Sequence, residues 1–158
     1  MMRLHVAAVG RIRADMPERA LIEDYTMRFN RVARPLGMGP LHEHEVEPRR
    51  GTGPAAEADA LTRAVPQAAA VVALDERGRT LSSTDLADKL AGFRDAGRSD
   101  LAFVIGGADG LMRELRERAD LVLSFGPMVW PHMLARVMLF EQLYRAATIL
   151  SGSPYHRA

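Results

Sequence analysis

Short apolar runs alternate with helix-like stretches along the whole chain, and no other feature of the sequence narrows the fold so far. Five runs have strand length: RLHVAAV (3–9), LHEHEVE (41–47), AVVALDE (70–76), DLAFVIGG (100–107) and ADLVLSF (119–125). Helical signals lie between and after them. In ERALIEDYTMRF (18–29), Leu21, Ile22, Tyr25 and Phe29 recur at helical intervals behind Pro17, a residue suited to a first helical turn. A second helix is predicted over about 55–65 and a third from a cap at Ser82 or Ser83 to a stop at Gly97. A short fourth follows around 111–118, and a long fifth runs from Pro131 to about Leu150. Strands separated by helices pair in parallel. The expected architecture is an open, mostly parallel α/β sheet, Rossmann-like, with helices on both faces, and 158 residues suit one domain over 1–158.

Composition removes several classes of function. The chain has no cysteine, which rules out disulfides, thiolate catalysis and cysteine-built zinc sites, and no metal is expected. No apolar run reaches the length of a membrane span, and the first residues lack a signal peptide's cleavage pattern, so a cytoplasmic location without membrane attachment is expected. A net charge of +1 is too small for broad electrostatic capture of nucleic acid. Contact with RNA then has to come from local groups. Arg11, Arg13 and Arg19 after the first strand, with Arg49 and Arg50 in the Pro- and Gly-rich stretch PRRGTGP (48–54), are the candidates; a solvated surface is the plainer reading of the same arginines.

In parallel sheets of this kind, ligands bind beyond the carboxyl ends of the strands. Three segments fall there: LDERG (74–78), IGGADGL (105–111) and LSFGPMVWPH (123–132). Gly106, Gly107 and Gly110 allow a close approach of backbone to ligand, but their spacing matches neither the dinucleotide fingerprint nor the P-loop. Pro127, Met128, Trp130 and Pro131 give the third segment a rigid apolar lining suited to a flat ring. The last helix is apolar nearly all round, which predicts burial on more than one side, with a second subunit as the cover beyond the sheet. His132 and Arg136 share one edge of it, and Glu141, Arg145 and Thr148 the opposite edge; Glu141 and Arg145 also have the spacing of an ordinary helix ion pair. The final segment, SGSPYHRA (151–158), carries an aromatic, an imidazole and a cation at Tyr155, His156 and Arg157, where terminal residues are usually bland.

Taken in order, LDERG, FVIGGADGL, the block LS…PHMLARVMLFEQLYRA and the terminal PYHR resemble the ribosomal large-subunit methyltransferase H family of the SPOUT superfamily, over essentially the whole chain. The resemblance implies a sheet whose C-terminal chain threads a trefoil knot, with S-adenosyl-L-methionine held by the knot loops. It also implies a homodimer packed through that region, acting on N3 of a pseudouridine in 23S rRNA of the assembled 70S ribosome. Cofactor contacts carried over by motif fall on Leu74, Gly107, Leu123 and Ser124, and within the same loop on Phe125, Gly126, Pro127 and Met128. That loop is longer before Pro131 than in many relatives. His132, Arg136, Glu141, Tyr144, Arg145, Tyr155, His156 and Arg157 match the family's characteristic C-terminal positions.

From these positions a division of labour is expected. Tyr155 would stack on a base, His156 would accept or relay a proton, and Arg157 would grip phosphate or stabilise an anionic uracil, with the tail closing over the cofactor of a partner subunit. His132 is the competing base, and Arg136, Arg145 and Arg157 are the expected RNA contacts. Two rival functions stand beside this one. An oxidoreductase on a similar sheet lacks its glycine fingerprint here. A ribosome-associated RNA-binding factor that kept the fold without the chemistry would retain the same sequence blocks.

Overall fold

The computed structural model describes residues 1–157. Five strands, β1 (Met2–Val9), β2 (Met38–Val46), β3 (Ala70–Thr80), β4 (Asp100–Ile105) and β5 (Leu121–Ser124), alternate with five helices: α1 (Pro17–Ala33), α2 (Pro54–Ala64), α3 (Ser83–Asp95), α4 (Arg113–Arg118) and α5 (His132–Ser151). A single 3₁₀ turn over Arg34–Leu36 follows α1. The strands form one parallel sheet in the order β2-β1-β4-β3-β5. Strand alternation sends Leu4, Val6 and Ala8 of β1 to the face covered by α1, α3 and α5, and Ala7 to the face covered by α2 and α4. The α/β expectation and its helix-on-both-faces arrangement hold. Among the described residues, no helix is long and apolar enough to cross a membrane.

Local chemistry explains where the helices begin and end. Ser82, not Ser83, caps α3: its hydroxyl accepts the Asp85 N–H at 3.0 Å. Ser83 turns instead to Gln142 of α5, 2.7 Å away. The last turn of α5 closes on Gly152 at φ 75°, a left-handed conformation that favours glycine.

Much of the apolar girth of α5 is covered from within the chain. Leu139, Phe140, Leu143, Ala146 and Ala147 are fully buried, and α5 packs against both α1 and α3 as well as closing the sheet face. Among its large apolar residues only Leu134 is left strongly exposed.

The strand β3 departs furthest from its expected form. It continues through the polar residues Glu76–Thr80 and pairs with β5 twice. Val72 to Leu74 lie opposite Leu121 to Leu123, and then Arg79 and Thr80 lie opposite Leu123 and Ser124, so residues 75–78 leave the ladder between the two pairings. Gly78 makes this possible. A Cβ there would sit 2.5 Å from the Val122 carbonyl oxygen, so no other residue lets the two backbones pass so closely.

Candidate active site at the carboxyl edge of the sheet

Of the segment expelled from the ladder, Asp75, Glu76 and Arg77 come to line a cleft. It measures about 290 Å³ and opens between the ends of β3 and β4, the loop after β5 and the first turn of α5. Leu74, Ile105, Gly106, Gly107, Phe125 and Gly126 line it, with Met128, Trp130 and His132 at its side. Apolar walls with a few polar groups are what a flat organic ligand requires. Met128 and Val129 stand 69% and 90% exposed, so the apolar loop before α5 stands out from the protein at the cleft.

The glycines have two distinct reasons to be there. A Cβ on Gly106 would press on the Gly110 carbonyl at 2.7 Å, so the 106–110 turn closes only around glycine. A Cβ on Gly107 would collide with the Glu57 carboxylate of α2, so that glycine also makes room for a side chain beneath the loop. Neither use was visible in the motif. Below the same loop the buried Asp75 carboxylate accepts the Arg77 N–H at 2.9 Å, and the Arg116 guanidinium of α4 approaches it at 3.9 Å.

A family model described as "Predicted SPOUT methyltransferase" matches residues 2–156. The chain belongs to this SPOUT methyltransferase family. Among curated relatives, proteins named "Ribosomal RNA large subunit methyltransferase H" from Dinoroseobacter shibae, Cereibacter sphaeroides and Ruegeria sp. are 65%, 64% and 60% identical over 156 residues, with 99% of each chain covered. Two solved structures share the fold at low identity. A probable methylase family protein from Haemophilus influenzae superposes with a TM-score of 0.52 at 15% identity, covering 99% of this chain and 70% of that one. The tRNA (m1G37) methyltransferase from Aquifex aeolicus gives 0.53 at 12%, covering 99% and 75%.

Against the family's expected cofactor positions, the cleft brings together Leu74, Gly107, Phe125, Gly126 and Met128. Leu123 and Ser124 do not line it. They face a neighbouring cavity of about 380 Å³ between β5, α3 and α5, and Phe125 and Gly126 form the wall that the two cavities share. Pro127 lines neither. The Ser124 hydroxyl accepts the Gly126 N–H at 3.0 Å and so shapes the turn instead of meeting a ligand in the cleft.

Arg136 corrects an expectation outright. The sequence suggests an RNA contact, but Arg136 is 3% exposed and its terminal nitrogens are occupied within the chain. One terminal nitrogen donates to Glu43 at 3.1 Å and Glu45 at 2.7 Å, the other to the carbonyls of Val9 and Gly10 at 3.2 and 2.9 Å. Arg19, another RNA candidate, closes the same cage by gripping Glu43 and donating to Glu45 at 3.0 Å. The Glu43 hydrogen bond, outweighing the cost of burial, raises the Arg19 pKa above its ordinary value. Two arginines and two glutamates compensate one another, so this cluster offers RNA no net charge.

The tail residues lie away from the cleft. Tyr155 donates its hydroxyl to Glu141 at 3.1 Å, its ring lies 4.7 Å from that of Tyr144, and the Arg145 guanidinium sits 4.8 Å above it. The His156 Nδ1 lies 3.2 Å from Arg145, which is itself bidentate to Glu141 at 3.0 and 3.1 Å. Burial, reinforced by the Glu141 charge, pushes the Tyr155 phenol up to about 12. The Tyr25 ring lies 6.1 Å from that of Tyr144, so all three tyrosines of the chain form one cluster of tilted rings. Glu141 is roughly 13 Å along the helix axis from His132, at about 1.5 Å per residue. Of the four catalytic candidates, only His132 lines the cleft of its own chain.

Proposed function

We propose that this protein is an S-adenosyl-L-methionine-dependent methyltransferase of large-subunit ribosomal RNA, acting as a homodimer on N3 of a pseudouridine in the assembled ribosome. The observation that carries the reading is the 60–65% identity over 156 residues to proteins named as large-subunit ribosomal RNA methyltransferases. The cleft fits it. Its apolar lining of Leu74, Ile105, Met128 and Trp130 suits an adenine ring, and the Gly106–Gly110 turn lets backbone come close to the rest of the cofactor. The cofactor, when bound, supplies an electrophilic methyl group on a sulfonium. The close passage of Gly78 across the Val122 backbone is the kind of crossing a knotted chain needs.

The chain's own residues have two tasks. One is alignment: holding the imide nitrogen in line with the methyl group lowers the barrier by up to about 7–11 kcal/mol. The other is removal of the N3 proton, by His132 at the cleft or by His156 of the tail. The tail of one chain serves the cleft of the other in this proposal, because Tyr155 and His156 are held at Glu141 and Arg145, off their own cleft. Arg157 is exposed beside them and, with Arg145, would stabilise the anionic uracil or hold phosphate.

The test is transfer of labelled methyl to ribosomes from a strain lacking this gene, with assembled ribosomes and separated subunits side by side. Label on one 23S pseudouridine, appearing only with assembled ribosomes, is the expected result. His156→Ala and Arg157→Ala should each reduce turnover by about 10²-fold or more while leaving cofactor affinity nearly intact. Wild-type rates in both would remove the tail from the mechanism.

A further inference from the structure

We propose that the loops following β1 and β2 form a rigid-backed arginine rim that grips RNA phosphates beside the cleft. The inference rests on the rRNA substrate proposed above and adds the surface that holds it. All five strands are parallel, so the loops 10–16 and 47–53 emerge on the same edge of the sheet as the cleft. The strand order places β1 directly beside β4, whose glycine turn lines the cleft. Neighbouring strands are about 4.8 Å apart, so the rim begins one strand spacing from the glycine turn that lines the cleft.

The loop 10–16 has a construction that an ordinary surface loop does not need. Exposed connections usually leave their backbone groups to water. Here buried and half-buried charged side chains take them. Arg136 holds the Val9 and Gly10 carbonyls, the Glu45 carboxylate accepts the Ile12 N–H at 2.7 Å, and Arg19 donates to the Ile12 carbonyl at 3.2 Å. Gly10 allows the turn with φ 98°, and its N–H donates to the Val46 carbonyl at 2.9 Å, tying the start of one loop to the start of the next.

The consequence falls on the arginines. Ile12 is 2% exposed and anchored in the core, so Arg11 and Arg13 on either side of it project outward from a fixed backbone. Arg49 and Arg50 are exposed on the adjoining loop. Among the described residues Arg13 has only a solvent-exposed pairing with Asp15 at 3.4 Å, which a phosphate readily displaces. Forked guanidiniums on a fixed frame suit phosphodiester oxygens, and such contacts position a strand without reading its sequence. The buried cage thus serves binding indirectly: Arg136 and Arg19 meet no RNA, but they fix the loop that carries the arginines that do.

The experiment measures affinity for ribosomes from the deletion strain as a function of salt, using the full chain loaded with S-adenosylhomocysteine. Wild type is compared with the double variants Arg11→Gln/Arg13→Gln and Arg49→Gln/Arg50→Gln. Each lost phosphate contact flattens the slope of log affinity against log salt by about 0.7–0.9, so each double variant should flatten it by about 1.4–1.8. Affinity for S-adenosylhomocysteine itself should not change. If wild type methylates ribosomes while either double variant keeps the wild-type slope, the two-loop rim is wrong and the proposed activity stands. Should wild type neither bind nor methylate ribosomes, the activity and the rim fall together.

Discussion

The two arginines on α5 meet similar partners and end in opposite states. Near the start of the helix, Arg136 is enclosed: two carboxylates and two backbone carbonyls occupy its terminal nitrogens, and its side chain is 4% exposed. Further along, Arg145 also pairs with a glutamate, yet its side chain remains 24% exposed, its face lies over Tyr155 and one nitrogen meets His156. Chemistry of the pair alone does not decide between scaffold and site. What decides is whether the remaining donors are used up inside the chain or presented at its surface.

Removing each arginine should expose the difference. Arg136→Ala leaves Glu43 and Glu45 facing only Arg19 in a mostly buried place, and urea denaturation should show a loss of about 3–5 kcal/mol. A loss below about 1 kcal/mol would mean that the cage is no more than a surface ion pair. Arg145→Ala should behave in the reverse manner. Its stability cost should stay within about 1 kcal/mol, whereas turnover should fall by about 10²-fold because His156 loses its anchor. Equal effects of the two changes on both measurements would erase the distinction between the ends.

A smaller effect tests how closed the tail end is. The raised pKa of Tyr155 means that the folded protein holds the phenolic proton more tightly than the unfolded chain does. The associated stability is complete below the ordinary value of 10.0 and is lost as the pH rises towards about 12. Phenolate absorbance should therefore show one tyrosine titrating near pH 12, moving lower in Glu141→Gln as the acceptor charge is removed. A wild-type Tyr155 that ionises near 10 would show the tail to be open to water.

Much of this architecture was legible because it depends on local pattern. The apolar runs at 70–76 and 100–107 are strands that helices cover on both faces, and the periodicity behind Pro17 is a helix whose Ile22 and Phe29 are buried. The polar continuation of β3 was not legible. Arg77 and Arg79 lack the apolar character of a strand, and the continuation is held by the pairing of Arg79 and Thr80 with β5, which the sequence places far downstream. Arg136 escaped for the same reason. Helical geometry put it on an edge with His132, but its partners Glu43 and Glu45 come from the alternate face of β2, which no short-range pattern connects to α5. The glycines and loops of the cleft stand out in the sequence, while the close approach of the Gly110 backbone to Gly106 and of the Glu57 carboxylate to Gly107 comes from tertiary neighbours that no local pattern shows.

The placement of α5 between α1 and α3 has a consequence for how the chain is made. The helix closes a layer whose other members were synthesised long before it, and its Leu139, Phe140 and Leu143 fill the centre of the larger core cluster. A nascent chain that has released α1 through β5 holds an apolar trough with no occupant. Its sheet pairings are also non-local, the kind that form slowly. Until the last helix emerges from the ribosome, the unfinished protein presents that trough to chaperones and to other chains.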